Sequence, residues 1–159
     1  MIIFFKKLLF AFKESINSYP EIYPLETLKY KNIEKAVDEY LKNYEKMNKI
    51  SVKKNAKYIN FLQPCIYRGN RQLTSFDIAS TSHTKRIKSK DGTTQADIIF
   101  NFFSTLNTKI KSYKNIINLQ NIFDQIDKEI YLDHAHCSDL GHNIIAKAIS
   151  EKILEIEDE

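Results

Sequence analysis

The chain has 159 residues, of which 43% are hydrophobic and 12% aromatic, a composition that excludes an intrinsically disordered polymer and fits one domain or part of one. Its net charge of +4 comes from basic residues scattered along the chain, with short runs at Lys53-Lys54 and residues 85–90. Aromatic residues do not interleave with them, so they read as a solvated surface and no nucleic-acid partner is expected. Two cysteines, Cys65 and Cys137, are too few for a disulfide scaffold, and neither sits in a CxxC pair.

In chain order, residues 2–17 read as an amphipathic helix docked on a core or a partner. Lys6-Lys7 interrupts its apolar run, which stays short of the ~18 residues a membrane span needs, so no transmembrane span is expected. The charges do not precede an apolar run and no small-residue cleavage site follows, so no clear signal peptide is present, which favours the cytoplasm. Pro20 and Pro24 break the helix and complete an N-terminal segment of residues 1–31.

Residues 32–159 carry the main unit. Ile33, Val37, Tyr40, Leu41, Tyr44, Met47 and Ile50 recur at helical steps and predict a helix over residues 32–52 with Asn32 as N-cap. Residues 57–63 suit a buried strand ended by Pro64. Residues 65–93 show no strong period and read as a long loop, either a lid or specificity insertion or a floppy surface loop, with a turn at Asp91-Gly92. A helix follows over residues 94–113, with Ala96, Ile99, Phe103, Leu106 and Ile110 on one face. Ile116-Ile117-Asn118-Leu119 is a short strand, Ile130-Tyr131-Leu132 another short apolar run, and residues 138–156 a last helix before an acidic tail. Strands alternating with helices predict an α/β unit with a parallel sheet flanked by helices. Two strands are few for such a fold, so the chain reads as its second half.

The segment Tyr131-Leu132-Asp133-His134-Ala135-His136-Cys137-Ser138 places a carboxylate and two imidazoles after an apolar run and before a helix. In parallel α/β sheets ligands bind at that point, outside the C-terminal ends of the strands. Asp133 and His136 stand three apart, a spacing at which a tight turn lets the carboxylate orient the imidazole and leaves Nε2 free as a general base. Zn²⁺ is the competing reading, because His134, His136, Cys137, Asp139 and His142 crowd one turn. The pattern lacks a separate second ligand cluster, so no metal and no cofactor is expected.

Asp133-x-x-His136, followed by Ser138-Asp139-Leu140-Gly141-His142 and a helix bearing Ala146, resembles the last block of SGNH/GDSL hydrolases. Ile59-Asn60-Phe61-Leu62-Gln63-Pro64, after the helix through Tyr40 and Met47, is similar to that family's strand ending in Gln-Pro. Asn118-Leu119 through Phe123-Asp124 resembles the segment upstream of the last block. The resemblance covers residues 32–153 and implies a flavodoxin-like three-layer fold. It implies esterase or O-acetyl esterase activity on an acyl ester, including O-acetylated carbohydrate, with Asp133 and His136 as catalytic residues. The family's Gly-Asp-Ser motif is missing, as are its oxyanion-hole glycine and Gly-x-Asn-Asp block. The three glycines are Gly69, Gly92 and Gly141, and Gly69-Asn70 does not fit that block. The expectation is a truncated hydrolase lacking its serine segment, partnered by the missing half or a second copy. The alternative is a non-catalytic, partner-binding remnant. His83 has no evident partner, His142 is expected exposed or capping, and Cys65 and Cys137 are read as two buried thiols or a disulfide.

Overall fold

The structure is a computed structural model, and it describes residues 33–86, 88 and 91–157. The expected N-terminal helix, the proline linker and the Asn32 cap lie outside the described residues.

Helix α1 spans Ile33–Lys53. Val37, Leu41 and Tyr44, at steps of four and three, form its buried stripe. Glu34 in the first turn and Lys53 in the last complement the helix dipole. It ends in a Schellman arrangement: Ala56 N donates to Ser51 O (2.9 Å) and Asn55 N to Val52 O (3.1 Å). Asn55 adopts the left-handed φ of 52° that this cap needs, a conformation asparagine tolerates better than most residues.

The strand expected over residues 57–63 pairs only at β1, Asn60–Leu62, which lies parallel to β2, Ile116–Asn118, with Asn60 beside Ile116 and Leu62 beside Asn118. The crossover between them contains α2 (Ser75–Ser80), α3 (Ser82–Arg86), α4 (Gln95–Lys109) and a 3-10 turn at Ile110–Ser112. Thr94 caps α4 in a reciprocal box with Asp97, so the helix begins one residue after the expected start and its last turn tightens. Asn60, Leu62, Ile116 and Asn118 share one face of the sheet, because side chains alternate along a strand. Helices α1 and α4 and the 3-10 turn cover that face: Val37, Leu41, Tyr44, Leu106 and Ile110 bury Leu62 and Ile116. Tyr40 Oη donates to Asn60 Oδ1 (2.7 Å) and Asn118 Nδ2 to Asn107 Oδ1 (3.1 Å), so the two polar residues on this face also pair with the helices.

Residues 65–93 are not a long loop. Two short helices form there because Thr74 and Asp77 make a capping box, and because Arg71 pairs with Asp77 in a setting almost free of solvent. Arg71 Nε donates to Ile126 O (2.9 Å), another of its nitrogens donates to Lys128 O, and Tyr131 N donates to Asp77 Oδ1 (3.4 Å). The segment is thereby tied to the chain that leads into Asp133. The turn at Asp91-Gly92 forms as expected, with Gly92 at φ 86°.

Ile130-Tyr131-Leu132 adds no third strand, and Tyr131 instead makes one antiparallel bridge to Cys137. A second core of Ile66, Phe123, Ile130, Tyr131 and Cys137 forms beyond the C-terminal ends of the strands. Helix α5, Asp139–Glu157, starts against this core through Ile144 and Ile145. Its last turn receives Lys57 Nζ at Ile156 O (2.6 Å), just ahead of β1, so α5 runs antiparallel to the strands. The result is a short two-stranded parallel sheet flanked by helices. Among the described residues, no helix is long and apolar enough to cross a membrane.

Candidate active site

The loop from Tyr131 to Cys137 is closed by its own backbone. Leu132 N donates to His136 O (2.8 Å) and Ser138 N to Ile130 O (2.7 Å), which brings the two arms together and turns residues 133–136 outward. Gly141 lets α5 start flush against this loop: a Cβ there would lie 2.6 Å from Cys137 Cβ and 3.0 Å from Ile130 Cγ2. Ile66 N donates to His134 O (3.1 Å), fastening the loop to the chain leaving β1. The site therefore sits past the C-terminal ends of the strands, where a parallel sheet presents its ligand face.

Asp133 and His136 meet as their spacing predicts. Asp133 Oδ1 accepts the backbone N–H groups of Ala135 and His136, each at 2.8 Å. Its Oδ2 lies 2.6 Å from His136 Nδ1. Partial burial pushes the Asp133 carboxyl upward. The backbone donors of His136 and Ala135 and the His136 ring outweigh this and hold its pKa at about 2. An ionised carboxylate can only accept, so Nδ1 carries the proton of the short bond. With Nδ1 so engaged, Nε2 is the ring nitrogen left to accept a proton. The His136 side chain is 79% exposed, so this nitrogen is open to an incoming group. The arrangement can take a proton from a hydroxyl and stabilise the imidazolium that results.

His134 faces inward. Among the described residues its buried Nδ1 has no hydrogen-bond partner and lies 3.8 Å from Asp133 Oδ1. Burial lowers its pKa against the pull of Asp133, with the charges of His83 and His136 adding to the lowering. His83, for which the sequence suggested no partner, packs edge-on against the His134 ring at 6.0 Å. His142 is exposed in the first turn of α5. Cys65 and Cys137 are free and buried, and burial raises both thiols, Cys137 to about 11. The crowded ligand set around His134 does not gather: among the described residues, no three His, Cys, Asp or Glu are placed to share a metal ion.

The sequence also left unremarked the turn that flanks this loop. Arg68 N donates to Cys65 O (2.9 Å), and the Arg68 guanidinium lies over the Phe100 ring (5.1 Å) while Nη1 donates to Ser104 Oγ (2.9 Å). Tyr67 Oη pairs with Thr84 Oγ1, bringing α3 to the same turn. No local pattern signals these contacts, because their partners are 17 to 36 residues apart.

No family model, curated protein or solved structure matches this chain.

Proposed function

We propose that this chain carries the base half of an SGNH/GDSL-type ester hydrolase, with His136 as general base and acid and Asp133 as its orienting carboxylate. The observation that carries the reading is the 2.6 Å bond from His136 Nδ1 to a carboxylate fixed by two backbone donors, on an outward-facing loop past the strand ends. A base held in one tautomer with its other nitrogen exposed is what activation of a serine hydroxyl requires. In this reading the two-stranded sheet and its helices are part of a flavodoxin-like three-layer fold, and the substrate is an acyl ester, including O-acetylated carbohydrate. The serine comes from outside the Asp133–His136 loop, from the remaining half of the fold or from another chain.

Labelling with a fluorophosphonate serine probe and reading the intact mass, with His136→Ala in parallel, tests this. One adduct that disappears in the variant supports a working site. A folded chain that takes up no adduct, alone or mixed with a candidate partner, removes the esterase reading.

A second reading, a non-catalytic partner-binding module, is favoured by a separate observation. Met47, Ile50 and Val52 at the end of α1, and Ile153 and Leu154 at the end of α5, are exposed apolar residues. Light scattering on the purified chain tests this surface: an assembly disrupted by Ile50→Glu supports a binding role for it and a stable monomer counts against one, while the serine probe separates a catalytic from a non-catalytic assembly.

A further inference from the structure

Among the described residues four buried side-chain polar atoms have no hydrogen-bond partner: His134 Nδ1 and Ser138 Oγ in and beside the Asp133–His136 loop, and two N–H donors from the chain that flanks it, Arg68 Nε and Gln120 Nε2, with Gln120 as a whole only 1% exposed. Buried polar groups are paired in the great majority of cases and an unpaired donor is costly, so two such donors on neighbouring residues call for a cause.

The two side chains leave neighbouring backbone and reach the same helix. At the backbone, a Cβ on Gly69 would lie 3.4 Å from Gln120 O, so the chain at residue 69 runs directly against that at 120. At their far ends both side chains land on one face of α4. Arg68 Nη1 donates to Ser104 Oγ (2.9 Å), and Gln120 Oε1 accepts from Asn107 Nδ2 (2.6 Å). Residues three apart on a helix are neighbours, about 5–6 Å between Cβ atoms. Arg68 and Gln120 thus bridge the same gap in parallel, with Gly69 closing one end and α4 the other. The carboxylate against Gly69, Asp124, is turned to Asn70 N (2.8 Å), Asn70 Nδ2 (3.4 Å) and Asn121 Nδ2 (3.0 Å). Arg68 makes no ion pair with any described residue.

We infer that Arg68 and Gln120 form a binding site for an oxyanion, a carboxylate or phosphate group, beside the Asp133–His136 loop. Both unpaired groups are donors and one belongs to a fixed cation, so the complementary group is an acceptor bearing negative charge. Stacking on Phe100 and the bond to Ser104 hold the guanidinium in place before the ligand arrives, which limits the ordering cost of binding. Cys65 to Arg68 form one turn, and Ile66 in that turn is bonded to His134, so the anion sits one turn away from the proposed base. The inference deepens the hydrolase reading by giving its substrate an anionic group, and it rests on that reading for the reaction alone.

The test is a heteronuclear NMR titration of the full 159-residue chain with inorganic phosphate and, separately, with acetate, following the Arg68 Nε–H and the Gly69 and Gln120 amide resonances. A saturable shift with either anion supports the site and identifies which group it takes. Arg68→Gln is expected to weaken binding about tenfold or more, since a charge-assisted bond is lost. Gln120→Glu places a carboxylate beside Arg68, and binding is expected to disappear. If that variant does not fold, Arg68→Gln decides alone. Absence of any shift with both anions overturns the site and leaves a structural water as the acceptor. Unchanged affinity in Arg68→Gln also overturns it. The titration needs no turnover, so failure of the serine probe leaves its outcome intact and the two failures are distinguishable.

Discussion

The Arg71–Asp77 pair is the clearest place to test how the proposed site is held. The side chains of Arg71 and Asp77 are 4% and 0% exposed, and Asp77 Oδ2 accepts from Arg71 Nη1, Thr74 N and Thr74 Oγ1, each at 2.8 Å. Asp77→Asn preserves the shape but strands a buried guanidinium. Removing one partner of a buried pair costs about 3–5 kcal/mol, and asparagine, which can still accept one bond, should sit near the lower end, at about 3 kcal/mol. For a chain of this length that lowers the thermal midpoint by about 6–12 °C. Arg71→Met loses three bonds and should cost a similar amount. The double variant removes both buried charges, so its cost should fall short of the sum by about 1–3 kcal/mol. Urea denaturation followed by circular dichroism gives the four stabilities. Because Tyr131 N bonds to Asp77, the His136 ring resonances should also shift in Asp77→Asn. A cost below about 1 kcal/mol, or strict additivity in the cycle, refutes the argument that this pair anchors the site.

Three further outcomes are expected. Gly141→Ala should destabilise by about 1–3 kcal/mol in thermal melts, because the added methyl meets Cys137 Cβ at 2.6 Å and neither backbone can retreat easily. The Asp133 carboxyl is held at about 2, below its ordinary 3.8, so it adds stability that is present above 3.8 and is lost as pH falls through 2. The melting gap between the wild type and Asp133→Asn should therefore be constant above pH ~4 and close towards pH ~2, and a gap independent of pH counts against the bond network. Cys65 and Cys137 should react with a disulfide reagent at pH ~8 only after denaturation, as burial suppresses both thiolates. Rapid labelling of two thiols in the native protein contradicts their placement.

What the sequence determined by itself was whatever is written at short range. The helices α1, α4 and α5 follow from apolar residues at three- and four-residue steps, which only a helix gathers on one side. The two strands follow from short apolar runs bounded by Pro64 and by polar residues. The Asp133–His136 contact was legible for the same reason, since three residues in a tight turn leave the carboxylate little choice but the imidazole and the nearby N–H groups. The chain's own signals for α2 were also present, in the Thr74–Asp77 capping box, but five- and six-residue helices are too short to show a period. Tertiary structure alone decided the rest. Arg71 and Asp77 look like ordinary surface charges until the chain at Ile126 and Lys128 closes over them. His83 acquires His134 as a neighbour only because the β1–β2 crossover folds α3 onto the turn after β1. Arg68 and Gln120 reach the same helix only when α4 receives both. Such contacts join residues tens of positions apart, and their energy depends on water being excluded, which no local pattern encodes.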